Sequence, residues 1–436
     1  MKAGPIDPLE QRAMRRVMRR LIPFLVLCYA LCWLNRINLS FAALQMNKQL
    51  HLSPANFGLA AGLFFISYAC LEIPANLLMR RFGARKWLAR IMFSTGIIAA
   101  ATAFVHGAHS FYCMRLLLGA AEAGFYPGIL FYLTLWFPFQ YRARNYGLFL
   151  AAIPLTGIVG GPLSAHLLAL NGLCGLKGWQ WLFILEGLPS AILAPVAVFY
   201  LQDTPASATW LQADEKAWLV NRLTAEQQAI ERLHAQTILH ALTSPIVWLL
   251  AMLYFSNVCL LNSILFFLPQ IVKSQGFSAT QVGYIAAIPS VFGLIGIIYW
   301  GRRSDVKAER AGHAAFANLL AAVALLTAMT LHGPDLRFAA IVLAFASTLC
   351  MVAPFWAIPG SFLSGASAAG GIAAISAIGV TGGFVAHFFV GYMKGLTGDY
   401  KTGFVVIALF SIAVSIIFYL SGSAWRRPRQ KQAARF

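Results

Sequence analysis

Arg80-Arg81-Phe82-Gly83-Ala84-Arg85-Lys86 closes one long apolar run, at about 57 to 78, and opens the next, at about 87 to 108. A second basic connection, Gly301-Arg302-Arg303-Ser304-Asp305-Val306-Lys307-Ala308-Glu309-Arg310, follows an apolar run at about 281 to 300. Arg302 stands 221 residues after Arg81 (302 − 81), close to half of the 436-residue chain. Basic connections at corresponding places, each after a run long enough to cross a bilayer, predict a duplicated membrane unit.

Working outward from these two loops, further apolar runs fall at about 21 to 46, 111 to 136, 145 to 169, 180 to 201, 245 to 271, 312 to 332, 336 to 357, 371 to 394 and 402 to 422. With the runs already named they predict twelve transmembrane helices. Composition agrees, because 59% of residues are hydrophobic and 11% charged, whereas a soluble chain is roughly half apolar and a quarter charged. A surface so poor in charge excludes an ordinary cytosolic enzyme. The expected architecture is an all-α polytopic membrane protein in two pseudo-symmetric six-helix bundles. It divides into a basic arm (1–20), an N-terminal bundle (21–201), a linker with an interfacial helix (202–244), a C-terminal bundle (245–422) and a basic tail (423–436).

The net charge of +19 points to topology and not to a nucleic-acid partner, because the basic residues concentrate on alternate connections. With both ends cytoplasmic, the inner connections hold 25 Lys and Arg and the outer ones six. The positive-inside rule therefore predicts cytoplasmic termini. In the linker, Leu211, Trp218, Leu219 and Leu223 recur at helical spacing, which predicts a helix lying on the inner membrane surface. The seven cysteines form no CxxC pair and read as small apolar residues. The histidines show no metal-ligand spacing, so neither a metal nor an organic cofactor is expected.

Ionisable side chains inside a span cost about 2.5 to 3.5 kcal/mol or more, so each needs a partner or a watery cavity. Arg36 lies about 15 residues, roughly 22 Å, into the first span. Tyr29, Trp33, Arg36 and Ser40 share one helix face. The planar guanidinium suits a substrate carboxylate, with Tyr29 and Trp33 as a wall; the alternative is a packing stripe with Arg36 bound to a carbonyl or carboxylate elsewhere. On the fourth span Arg115 and Glu122 stand two turns apart, with Tyr126 one turn further. A carboxyl near the midplane beside arginines is the natural proton carrier, unless it forms a permanent ion pair with Arg115 or Arg36. Glu72, nearer the inner surface, suits a cap or gate, and Glu186 a structural role.

These residues match a family. The strings Leu34-Asn35-Arg36-Ile37-Asn38-Leu39-Ser40, Glu72-Ile73-Pro74-Ala75-Asn76, Ala121-Glu122-Ala123-Gly124-Phe125-Tyr126-Pro127-Gly128, Gly160-Gly161-Pro162-Leu163-Ser164, Gly178-Trp179-Gln180-Trp181-Leu182-Phe183-Ile184-Leu185-Glu186-Gly187 and Asp203-Thr204-Pro205 resemble the anion:cation symporter family of the major facilitator superfamily. Within it the chain is similar to bacterial 4-hydroxyphenylacetate permeases and tartrate-type organic acid transporters. The resemblance implies uptake of a small organic acid anion across the bacterial inner membrane by alternating access, coupled to protons as the only coupling ion. It implies Arg36 on the substrate carboxylate, Arg115 in support, Glu122 titrating, and Tyr68 and Trp356 completing the cavity. It implies a lipid-embedded carrier, expected as a monomer.

Two departures stand out. Asn35 replaces the usual Asp before the arginine, leaving Glu122 as sole proton carrier and favouring a monocarboxylate carried with one proton. Val380 replaces a substrate-facing amide, and His387 stands where a Pro is usual. The basic loops at Arg81 and Arg85 and at Arg302, Arg303 and Asp305 are expected to act as inner gates. The rival readings are a proton-driven exporter of drugs or metabolites, on the strength of Gly157-Ile158-Val159-Gly160-Gly161-Pro162, and a non-transporting sensor of the same fold.

Overall fold

The computed structural model describes residues 7–232, 244–307, 309–359 and 365–433. Among them every regular element is helical, and twelve helical stretches are long and apolar enough to cross a membrane. Helix α1 (Pro8–Gln49) starts on Pro8 with the Asp7 carboxylate accepting from the Leu9 amide at 3.0 Å, a regular N-cap. Its 42 residues extend about 60 Å, twice the bilayer core. The residues expected as a separate basic arm are thus, from Pro8, a continuation of the first span beyond the membrane.

Helix α2 (Pro54–Phe82) is capped by Ser53 and ends at Gly83, whose φ of +88° favours a residue without Cβ. Helix α3 (Ala84–Ala101) follows directly. The fourth span, expected as one run, is broken. Helix α4 (Ala108–Glu122) stops at Glu122, Gly124 takes φ +81°, and α5 (Phe125–Thr134) resumes. A Cβ on Gly124 would lie 2.7 Å from that of Ala75, so the break lets α2 pass close by. Helices α6 (Phe139–Leu150) and α7 (Ala152–Leu168) build the fifth span and α8 (Gly178–Tyr200) the sixth. Small residues let α3 and α8 touch: a Cβ on Gly96 would be 2.5 Å from the Ala191 amide nitrogen, the close approach that packs helices in lipid.

The linker helix is α9 (Ala213–Arg232). Leu211 and Leu219 are buried in one cluster with Met14, Val17 and Leu21 of α1, and Arg16 pairs with Glu215 at 3.0 Å. Leu211 and Leu219 therefore pack on the extension of α1.

The second half comprises α10 (Pro245–Lys273), α11 (Ala279–Val306), α12 (Ala311–Thr330), α13 (Pro334–Trp356), α14 (Gly365–Thr397) and α15 (Lys401–Ala433). A buried polar network ties four of them. Asn257 donates to the Asn318 side chain and the Thr348 carbonyl, both at 3.2 Å, and Asn318 donates to Ser256 (3.0 Å) and Ser415 (2.9 Å). The halves meet along α2 against α14 and α7 against α11. Phe199, Ile192, Val159 and Leu420 stay 63% exposed or more, forming an outward apolar belt that suits lipid.

Asn318→Ala should lower the thermal unfolding temperature of the detergent-solubilised protein, since interhelical hydrogen bonds in lipid contribute about 1–2 kcal/mol each at best and this residue makes three. An unfolding temperature equal to the parent's would show that the network is dispensable.

Candidate functional site

Five helices converge on a nearly closed central cavity of about 20 Å³, enough for about one water molecule. Helix α1 contributes Trp33, Arg36 and Ile37, α2 Phe64 and Phe65, α4 Arg115, α10 Asn262, Leu265 and Phe266, and α14 His387. The first three helices belong to one half and the last two to the other, so the cavity lies on the seam. Its size means that a ligand larger than water enters only when the halves part.

Arg36 is the centre of the polar wall. Its Nε donates to Glu122 Oε1 at 2.8 Å, and Nη2 approaches the same oxygen at 2.7 Å but too far off-axis for a hydrogen bond. Glu122 Oε2 is buried without a partner. The contact is thus one edge of a guanidinium on one oxygen, short of the two parallel bonds that the fork can make with a carboxylate. The guanidinium carbon also lies 5.0 Å from the Trp33 ring, 4.9 Å from Phe64 and 5.0 Å from Tyr68. Arg115 is 3% exposed, stands 5.0 Å from the Phe64 ring, and leaves its Nε unbonded. Cation–π contacts contribute about 0.5–2 kcal/mol each, which does not replace a counter-ion. Two guanidinium groups facing one carboxylate leave an excess positive charge that attracts an anion.

Comparison with known proteins fixes the family. The sequence matches the Major Facilitator Superfamily over residues 25–386. It is 42% identical to a protein of Agrobacterium vitis provisionally named a tartrate transporter, over 95% of this chain and 96% of that one. It is 38% identical to a quinolone resistance transporter of Acinetobacter baumannii, over 94% and 95%. The fold matches the crystal structure of the D-xylose-proton symporter with a TM-score of 0.71 at 16% identity, covering 92% and 97% of the two chains. The chain belongs to the major facilitator superfamily. It is accordingly a multi-pass membrane transporter and not an enzyme.

The remaining residues singled out in the sequence of this superfamily member fall into separate groups. Tyr68 lies under Arg36. Tyr29, Tyr68, Tyr126 and Trp356 do not line the cavity. Tyr29 stacks near Trp33, Phe149 and Tyr126, with ring centres 5.9, 4.8 and 5.8 Å away. Tyr126 and Trp356, from opposite halves, pack on the apolar cluster of Leu150, Ile297 and Val352. Together they form an aromatic plug between the cavity and the side that carries the termini. Tyr29 reaches this plug through Tyr126, and its ring also lies 6.3 Å from that of Phe125 of α5.

The Arg85 amide donates to Asp203 Oδ1 at 2.9 Å within its own half, Arg81 is exposed, and Arg302 is exposed while Arg303 leans on Tyr299 and Trp300. The Asp305 side chain lies outside the described residues. A contact across the halves forms instead at Glu72, which accepts from Ser376 of α14 at 2.8 Å. Glu186 accepts from Ser164 at 2.7 Å. Asn35, at the position where the resemblance expects Asp, is buried with its amide unpartnered. Asn262, Phe266, Phe64 and Phe65 escaped the sequence reading. Asn262 carried the only available signal, a polar residue inside the seventh apolar run.

Arg36→Ala should destabilise the solubilised protein by about 3–5 kcal/mol, the cost of stranding a buried charge, and adding Glu122→Ala should restore much of it. Additive losses in thermal unfolding would show that the two groups are not coupled.

Proposed function

We propose that this transporter is a proton-coupled symporter of the anion:cation type, taking up a small organic acid anion across a bacterial inner membrane with both termini in the cytoplasm. The observation that carries the reading is the one-oxygen contact between Arg36 and Glu122. A protonated Glu122 would release the guanidinium, and a substrate carboxylate would then make the full fork, supported by Arg115. Rocking of the halves would expose the site to the cytoplasm, where Glu122 loses its proton, reclaims Arg36 and displaces the substrate. The relative named for tartrate supports an organic acid, and the excess of Lys and Arg on the terminal side supports the orientation.

With Glu122 as the single titrating carboxyl paired to a cavity arginine, one proton accompanies each anion and a monocarboxylate crosses without net charge. A dianion would oppose the membrane potential by about 2.3 kcal/mol per 100 mV. Aromatic acids such as 4-hydroxyphenylacetate and sugar-acid monocarboxylates fit this stoichiometry, whereas a tartrate-like dianion carried with one proton would move one net negative charge. Proton-driven export is the second reading, favoured by the resistance transporter among the relatives. Radiolabelled uptake into cells, measured with and without a protonophore, separates the two: import collapses with the protonophore, whereas intracellular label rises if the protein exports.

In proteoliposomes, Glu122→Gln should bind substrate and exchange it across the membrane while losing accumulation driven by a pH gradient. A variant that concentrates substrate as well as the parent would refute the role of Glu122. In the same vesicles, substrate addition to the parent should evoke no current; an inward positive current would rule out one proton per monoanion.

A further inference from the structure

Ser376 of α14 donates to Glu72 Oε1 of α2 at 2.8 Å, and among the described residues this is the one side-chain hydrogen bond between the halves. Glu72 is 3% exposed and Ser376 4%, and Glu72 Oε2 is buried without a partner. The groups that act on this carboxyl are Tyr68 on α2 itself, Arg36 on α1, Tyr254 on α10 and the Ser376 hydroxyl on α14. The guanidinium of Arg36 is already engaged by Glu122, and the phenols carry no charge at neutral pH. Among the described residues, α3, α4 and α5, which also pack on α2, bring no charged group to it. The bond has a defined place along the two helices. Toward their outer ends α2 and α14 meet at glycines: a Cβ on Gly391 would lie 2.6 Å from the Pro54 carbonyl oxygen, and one on Gly58 would collide with the His387 carbonyl. Glu72 lies 14 residues (72 − 58) further along α2, roughly 21 Å toward the terminal side. Rocking about the outer contact therefore separates Glu72 from Ser376 and lets water reach the carboxyl from that side.

Closed and open seams treat this carboxyl differently. An ionised Glu72 in the closed seam is a buried charge with one hydrogen bond and no free counter-ion, which is costly. The protonated acid avoids that cost and keeps the Ser376 bond, whereas in the open seam water solvates the carboxylate. We propose that Glu72 and Ser376 form a proton-operated latch on the inner side of the transporter, shut when Glu72 is protonated and released when it ionises. Opening breaks the Ser376 bond and passes the Glu72 proton to cytoplasmic water. Closing takes a proton back from the same water, so none crosses the membrane by this route and the one carried by Glu122 is unaffected. Because opening releases a proton, an acid cytoplasm holds the seam shut and an alkaline one favours opening. A carrier that brings protons in is thereby slowed as the interior acidifies. The latch rests on the alternating-access part of the reading above and not on the identity of the anion.

The test uses full-length protein in lipid nanodiscs, without added substrate, with spin labels attached through a keto-bearing amino acid at positions 81 and 302. Both are exposed points on the basic loops of the two halves, so the distance between labels reports opening on that side. In the parent the ratio of long to short distances should rise severalfold between about pH 6 and about pH 8, a single titrating group being limited to about tenfold per pH unit. The rise should persist in Glu122→Gln, while Glu72→Gln should hold the short distance at both pH values. Ser376→Ala should enlarge the long-distance fraction at the acid end, where the protonated acid has lost its partner. A parent whose distances ignore pH overturns the latch. So does a response that survives in Glu72→Gln, or one that disappears in Glu122→Gln and so belongs to Glu122. If Glu72→Gln does not fold, the parent, Glu122→Gln and Ser376→Ala still decide. None of these outcomes bears on accumulation driven through Glu122, which the vesicle assay tests separately.

Discussion

A guanidinium held in a low-dielectric seam, with one oxygen of one carboxylate for company, is the constraint on which the rest of this protein depends. Removing such a charge from water costs several kcal/mol, and the site recovers it through Glu122, through the rings of Trp33, Phe64 and Tyr68, and through nothing else in full. Arg115 adds a second positive charge within 5.0 Å of the same Phe64 ring. An apolar chain tolerates this arrangement when an anion completes it at some stage of its cycle. That is why the pair, and not the twelve spans around it, carries the proposal for function.

The surrounding structure holds this pair where two rigid bodies meet. The break at Gly124 ends α4 immediately after Glu122, so the carboxylate sits on the last turn of a helix and not in the middle of a long one. Glycines at the crossing of α7 and α11 bring the halves to backbone contact: a Cβ on Gly161 would be 2.5 Å from the Gly283 carbonyl. On the terminal side, Tyr126 and Trp356 close the seam with aromatic rings, and Glu72 reaches Ser376. The central space is consequently small. Apolar and small-residue contacts of this kind can part and re-form without breaking buried ion pairs, which suits bodies that must rock.

Each half is stiffened differently. The first is laced by close helix contact at Gly96 and Gly187 and by the linker helix docked on α1 through Leu219 and the Arg16–Glu215 pair. The second relies on the Asn257–Asn318 network. The basic loops serve this stiffening too, since Arg85 binds Asp203 at the end of its own bundle. Their correspondence in sequence reflects duplication of the unit, and in this conformation no contact between them is needed to explain it.

The sequence by itself determined the membrane class, the number of spans and the duplication, because these follow from run length and charge placement, which are local quantities. It also singled out Arg36, Arg115 and Glu122, since an ionisable residue in an apolar run is conspicuous without knowing its neighbours. Tertiary structure alone decided which arginine Glu122 meets, that Tyr29, Tyr126 and Trp356 form a plug and not a cavity wall, and that Leu219 of α9 packs on α1. It also brought Asn262 and His387 to the wall facing the arginines. These depend on rotation of each helix about its axis and on contacts between residues as far apart as 36 and 387. Hydrophobic periodicity is too weak to fix that rotation in helices apolar on every face.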